Sequence, residues 1–334
     1  MALFSREFGI DLGTMNSVLA EGDKILMIEP TVVAWIPNER IMVEWGQAAY
    51  DMMGKVSETI EVFRPLKNGV IAEYYHTEAF LKEMIQKSGG KSFLFPPKIC
   101  ITIPYNVTSV ESRAVKEAAL EVSRDVYSLP QPVAAALGID LPIGTPTGNM
   151  IISLGGGTNQ AAVMAMWDVV TGHTARTGGL ALDDAIAAHI RKKFGVLIGQ
   201  TTAEKLKINI GSAIQIDEPK SMEVQGQDQV SGLPKPVLVT TDDIVDALEQ
   251  PLQALVDMVK HVLEKTPPEL ISDIIDRGVA LCGGGALLPG IDKYLTKALG
   301  IPAYLVDNPV TCTAEGAAKA LSMRNHLKRS LIKV

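Results

Sequence analysis

Phe8-Gly9-Ile10-Asp11-Leu12-Gly13-Thr14-Met15-Asn16-Ser17 is a short apolar run, a Gly-Thr turn and the start of a second apolar run, Val18-Leu19-Ala20. Met150-Ile151-Ile152-Ser153-Leu154-Gly155-Gly156-Gly157-Thr158-Asn159-Gln160 repeats that layout in the second half of the chain and leads into Ala161-Ala162-Val163-Met164. Each copy reads as a β-hairpin closed by a glycine turn. Either turn alone is ordinary. Two copies in one chain point to two domains built on one plan.

Strand and helix patterns alternate between the copies. Lys98 to Pro104 reads as a buried strand ended by Pro. Thr108 and Glu111 have capping-box spacing ahead of Ala114, Val115, Ala118 and Val122, one apolar face of a helix. A second helix begins at Gln131-Pro132, with Pro in its first turn. In the second half, an amphipathic helix is expected from about Asp242 to Lys265, interrupted or bent at Pro251. The strand Gly278 to Cys282 and the loop Gly283-Gly284-Gly285 follow it, and Asp217 to Pro236 reads as loop. Alternating strands and helices imply an α/β fold with sheets covered on both faces.

At 334 residues the chain exceeds one ordinary core, and its 47% hydrophobic content is that of a globular protein. No stretch reaches the roughly 18 apolar residues of a membrane span. The N-terminus runs into a strand pattern without a cleavable apolar region, so a cytoplasmic chain is expected. Cys100, Cys282 and Cys312 are scattered and suggest neither a disulfide framework nor a metal site. A net charge of −7 gives no case for nucleic acid, although Arg324, Lys328, Arg329 and Lys333 form a basic cluster near the end.

Glycines in tight turns let backbone N–H groups cradle phosphate oxygens. Two facing turns can hold a polyphosphate from both sides, with the hydroxyls of Thr14, Ser17 and Thr158 as further donors. Asp11, at a strand end, suits Mg²⁺, which takes oxygen ligands and keeps most of its waters. Together with Gly283-Gly284-Gly285, the paired turns favour nucleotide binding over plain hairpins.

Ile10 to Ser17 resembles the first phosphate loop of the actin, sugar-kinase and heat-shock-chaperone superfamily, in its MreB form. Glu29-Pro30-Thr31-Val32-Val33-Ala34, Arg64 to Ala72, Thr201 to Lys207, Thr266 to Leu270 and Cys282 to Leu288 are similar to further MreB signatures, in the same order. The resemblance runs from about residue 8 to 322. It implies an actin-like fold, two related domains around a nucleotide cleft, each with a smaller inserted subdomain. Residues 1–145 with 315–334 would form the first domain, with its insert near 31–65. Residues 146–314 would form the second, with its insert near 183–242.

The resemblance also implies roles. Gly13, Thr14, Met15, Asn16 and Gly155, Gly156, Gly157, Thr158 would hold the phosphates of ATP or ADP, and Asp11 would hold Mg²⁺ through water. Glu204 and Lys207 would contact the nucleoside, and Gly283, Gly284, Gly285 and Ala286 would line the adenine and ribose side. Gln131 and Thr158 would stand at the hydrolytic centre. The implied partner is the chain itself, in paired filaments on the inner face of the cell membrane, where other cytoskeletal or envelope proteins could join it. The implied role is in cell shape.

Four acids of the MreB pattern are missing. Ser153 stands for Asp, Gln160 for Glu, Gln131 for Glu, and Leu180 for the Asp of Gly-Gly-Asp, although Asp183 and Asp184 follow. Eukaryotic actin also has Gln at the position of Gln131, so drift is one reading. Because three of the losses surround one reaction step, slow hydrolysis is expected: an amide orients water but accepts a proton poorly. For membrane contact, Phe93, Leu94 and Phe95 sit between Gly-Gly and Pro-Pro, and Leu3, Phe4 and Phe8 could add a second piece. The other reading of Phe93 to Phe95 is the start of a buried strand. A sugar-kinase-like phosphotransferase is the alternative function.

Overall fold

The computed structural model describes residues 6–89 and 96–334. Glu7–Leu12 pairs antiparallel with Asn16–Glu21, which pairs antiparallel with Lys24–Pro30. On the other side, Lys98–Ile103 lies parallel to Glu7–Leu12, and Asp125–Pro130 lies parallel to Lys98–Ile103. The second hairpin builds the same sequence of pairings. Asn149–Leu154 pairs antiparallel with Asn159–Ala165 and that strand with Asp168–Ala175, while Val279–Cys282 and Ala303–Leu305 follow in parallel. In each sheet the spatial order is third, second, first, fourth, fifth strand. Ile332–Lys333 adds a further antiparallel strand to the edge of the first sheet.

Small sheets interrupt the plan at two places. Val33–Ile36, Ile41–Trp45 and Glu61–Phe63 form one, and Val196–Leu197, Ser221–Asp228 and Pro234–Thr240 form the other. The stretch read as loop, 217–236, is thus mostly hairpin. Met222, Val224, Val237 and Val239 supply an inward period of two that the intervening Gly, Gln and Pro conceal. Pro234 and Pro236 are tolerated because they lie on an edge strand. The Asp228 carboxylate accepts the N–H groups of Val230 and Ser231 at 3.0 and 2.9 Å, closing the turn.

Helix Thr241–Glu264 continues through Pro251, so of the expected interruption or bend the interruption does not occur. A Pro in a helix interior costs about 3 kcal/mol. Burial of Ile244, Leu248, Leu252, Val256 and Val259 in the second core outweighs that, at about 1.5–3 kcal/mol per side chain. Its first turn is held by the Thr240–Asp243 capping box. Thr108 and Glu111 cap Ser109–Leu120 as their spacing indicates.

Two helices fill the space between the sheets. Gln131–Gly138 and Cys312–Ser322 share a core with Leu129 of the first sheet and with Ile151, Ala162 and Ala280 of the second. They approach so closely that a Cβ on Gly316 would lie 1.7 Å from the Ala134 carbonyl oxygen. Cys100, Cys282 and Cys312 are buried free thiols. Phe8, offered above as a membrane contact, is fully buried in the first core. Leu3, Phe4, Phe93, Leu94 and Phe95 lie outside the described residues.

Candidate functional site

The two glycine turns meet. Gly13 to Asn16 and Gly155 to Thr158 face one cavity of about 380 Å³ between the sheets, together with Asp11, Gln131, Glu204, Lys207 and Gly283 to Gly285. A Cβ on Gly156 would sit 2.0 Å from Met15 Cγ, and one on Gly157 would sit 2.3 Å from Thr14 Oγ1. The turns therefore pack against each other, and only glycine permits that spacing. Gly178 closes the second turn from behind: its Cβ would lie 2.6 Å from the Gly155 carbonyl oxygen.

Two residues depart from their expected places, and a third keeps its place with its hydroxyl engaged by the backbone. Ser17 is fully buried and shares a 2.8 Å hydrogen bond with Thr31, so its hydroxyl faces the core instead of the cavity. Ala286 is buried in the second core beneath the glycine turn and does not line the cavity. Thr14 does line it, but its hydroxyl accepts the Gly69 N–H at 2.9 Å.

Asp11 sits on the cavity floor, where its Oδ1 accepts from Thr102 Oγ1 at 2.6 Å and from Gln131 Nε2 at 3.0 Å. Burial pushes the Asp11 carboxyl above its ordinary range, and the Thr102 and Gln131 bonds pull it back in part. The bonds continue across the floor: Gln160 Nε2 donates to Gln131 Oε1 at 2.5 Å, and Tyr105 N donates to Gln160 Oε1 at 2.8 Å. Ser153 lines the same wall and lies opposite Gln160 in the hairpin register. Three of the positions where acids are missing thus adjoin one another.

At the other end, Lys207 Nζ pairs with Asp183 Oδ1 at 2.7 Å and donates to the Gly179 carbonyl at 3.0 Å. Burial raises the Asp183 carboxyl to about 6, with Lys207 opposing the rise. Tyr50 donates to Glu204 Oε2 at 2.7 Å, and burial beside that carboxylate raises the phenol to about 12. Arg64 Nη1 donates to the Met15 carbonyl at 3.0 Å and so braces the first turn. Sequence reasoning assigned no role to Tyr50, Thr102 or Tyr105. Thr102 could have been found, since it is the last residue but one of a strand parallel to the one carrying Asp11.

The apolar wall of the cavity is Leu182, Ile208, Leu287, Leu288, Pro309 and Val310. A glycine-lined, donor-rich floor beside an apolar wall suits a ligand with an anionic end and a flat apolar end. Among the described residues no group of three or more His, Cys, Asp or Glu side chains could hold a metal ion. A Mg²⁺ here would take its protein contact from Asp11 through water, which fits that ion's habit of keeping several waters.

Comparison with known proteins places this architecture. The chain is 41% identical over 332 residues to the cell shape-determining protein Mbl of Bacillus cereus, covering 98% of this chain and 100% of that one. It is 40% identical over 329 residues to the cell shape-determining protein MreB of Escherichia coli, covering 96% and 94%. Crystal structures of MreB5 of Spiroplasma citri bound to ADP and to AMPPNP superpose with a TM-score of 0.91 at 32% identity, covering 97% and 98% of this chain and 99% of theirs. A MamK double helical filament structure shares the fold at a TM-score of 0.80 and 18% identity, covering 96% of this chain and 99% of that one. The fold is actin-like. The model of the MreB/Mbl protein family matches residues 5–329, and the chain belongs to that family.

Proposed function

We propose that this chain is a cytoskeletal actin homologue that binds ATP and ADP with Mg²⁺ in the described cleft and polymerises into filaments. The observation that carries the reading is the packing of Gly156 on Met15 and Gly157 on Thr14. It brings the two glycine turns to one cavity that Asp11 also lines, where glycine backbone can approach and hold phosphate oxygens. Relatives crystallised with ADP and AMPPNP support the choice of ligand. Names of relatives as cell shape-determining proteins support a role in cell shape.

The filaments sit on the inner face of the cytoplasmic membrane in this reading. Glu7 and Lys98 are paired neighbours, and Lys333 pairs with Tyr127 on the same sheet. The apolar residues Phe93, Leu94 and Phe95 therefore precede a strand that starts beside the N-terminal one, and the chain's last strand, which follows the basic residues Arg324, Lys328 and Arg329, edges the same sheet. Hydrolysis is slow, because Ser153, Gln131 and Gln160 leave Asp11 as the carboxylate on the floor, and two donors already hold its Oδ1. What these residues do is bind and orient: the amides fix each other, and the glycine turns exclude side chains from the phosphate path. Negative-stain microscopy with Mg-ATP, run beside a sugar-phosphorylation assay, tests the reading. Filaments without sugar phosphate support it, and sugar phosphate without filaments overturns it.

A further inference from the structure

Gln131 opens the helix that follows the first sheet, and Gln160 belongs to the second hairpin, so their hydrogen bond crosses from one domain to the other. Tyr105, from the loop after Lys98–Ile103, donates its N–H to Gln160 and accepts through its carbonyl from Thr174 Oγ1 at 2.5 Å. Three hydrogen bonds between uncharged groups therefore tie the sheets at the cleft floor, beside the two helices that fill the space between them.

The direction of the amide chain is determined at both ends. A backbone N–H can only donate, so Tyr105 selects the Gln160 oxygen and turns Nε2 toward Gln131. Gln131 must then present its oxygen to Gln160 and its Nε2 to the Asp11 carboxylate, which accepts it. Every group is satisfied in one arrangement. A carboxylate at position 160 would break this logic. Gln131 would have to flip its Nε2 toward the new charge and set its oxygen against Asp11. A carboxylate at 131 would face Asp11 directly. Gln160 is 2% exposed, so either conflict would be fought with little help from water.

We propose that Gln131 and Gln160 are positioning residues that hold the two domains closed across the cleft floor before any nucleotide binds. Nucleotide then enters a cleft already near its bound shape, and the ordering cost of closure is not charged to binding. The unmodified chain differs little in domain angle between its empty and nucleotide-bound states.

The test is an interdomain distance. The native cysteines are buried, so spin labels go selectively on Glu58→Cys and Asp217→Cys, exposed positions on the two inserts. In the nucleotide-free protein, pulsed electron resonance should give a single narrow distance that Mg-AMPPNP leaves nearly in place. Gln160→Leu removes two of the three crossing bonds, so it should broaden and lengthen the empty-state distance, Mg-AMPPNP should narrow it again, and nucleotide affinity should fall at least about fivefold. Gln160→Glu, which keeps the side-chain shape and can still accept the Tyr105 N–H, should broaden the empty-state distance too, by less than Gln160→Leu does. Gln131→Leu combined with Gln160→Leu should add little to the empty-state distance of Gln160→Leu alone, because the bond between the two amides is already gone and the Gln131–Asp11 bond lies within the first domain. An empty-state distance that is already broad in the unmodified protein, or that is unchanged in both Gln160 variants, overturns the proposal. The empty-state distance involves neither bound nucleotide nor turnover, so it can stand or fall apart from slow hydrolysis.

Discussion

The Tyr50 hydroxyl donates to Glu204 Oε2 at 2.7 Å, joining the two inserted subdomains through a residue that lines the cavity. The bond is part-exposed and its acceptor is charged, which makes it worth about 1 kcal/mol. Tyr50→Phe should therefore raise the nucleotide dissociation rate about fivefold. Stopped-flow displacement of a fluorescent ATP analogue measures this. An unchanged rate would show that the inserts do not gate release.

Asp183 gives the stability a particular pH dependence. Its unfolded carboxyl titrates near 3.8 and its folded one near 6, so the folded state holds more protons between those values. The contribution to stability is therefore fully present below about pH 4 and is lost as pH rises through 6. The amount is at most about 3 kcal/mol. Thermal midpoints of the unmodified protein and Asp183→Asn should diverge as pH rises from about 4 to 7. Parallel curves would place the Asp183 carboxyl near its ordinary value.

Slow hydrolysis leads to a gain-of-function test. Ser153→Asp together with Gln131→Glu should raise phosphate release at least about tenfold, within the range expected for a restored general base. Nucleotide affinity should change by less than about tenfold, since the backbone donors of the glycine turns remain. Phosphate release from the unmodified filaments as fast as from a relative that keeps the acids would mark the substitutions as drift.

Phe93→Ser with Leu94→Ser should reduce pelleting with anionic liposomes while leaving the thermal midpoint within a few degrees. A collapse of the thermal midpoint would instead make these residues the start of the buried strand that continues at Lys98.

What the sequence discloses here follows from the range of the interactions. The repeated hairpins were legible because each is local: strand, glycine turn and strand lie within a dozen consecutive residues, and both sheets grow from them. The Thr108–Glu111 cap was legible for the same reason. The hairpin Ser221–Asp228 with Pro234–Thr240 was not, because it buries a single face and its prolines sit on an edge strand. Helix Thr241–Glu264 hides from a local rule about Pro251 because the deciding term is its contact with the second core. Ser17 and Ala286 carry the right spacing for the site yet turn into the core, and spacing alone does not give a side chain's direction. Gln131, Gln160 and Tyr105 come from three separate elements, so their hydrogen-bond chain appears only once the sheets are side by side.

The cleft's identity as a nucleotide site rests most directly on Gly156. Calorimetric titration with Mg-AMPPNP, which binds without turnover, isolates that claim. One nucleotide should bind per chain of the unmodified protein. Gly156→Val should abolish binding while its circular dichroism stays native, because the new side chain fills the space against Met15 at the phosphate path. A folded Gly156→Val protein that binds Mg-AMPPNP with unchanged affinity would contradict the account.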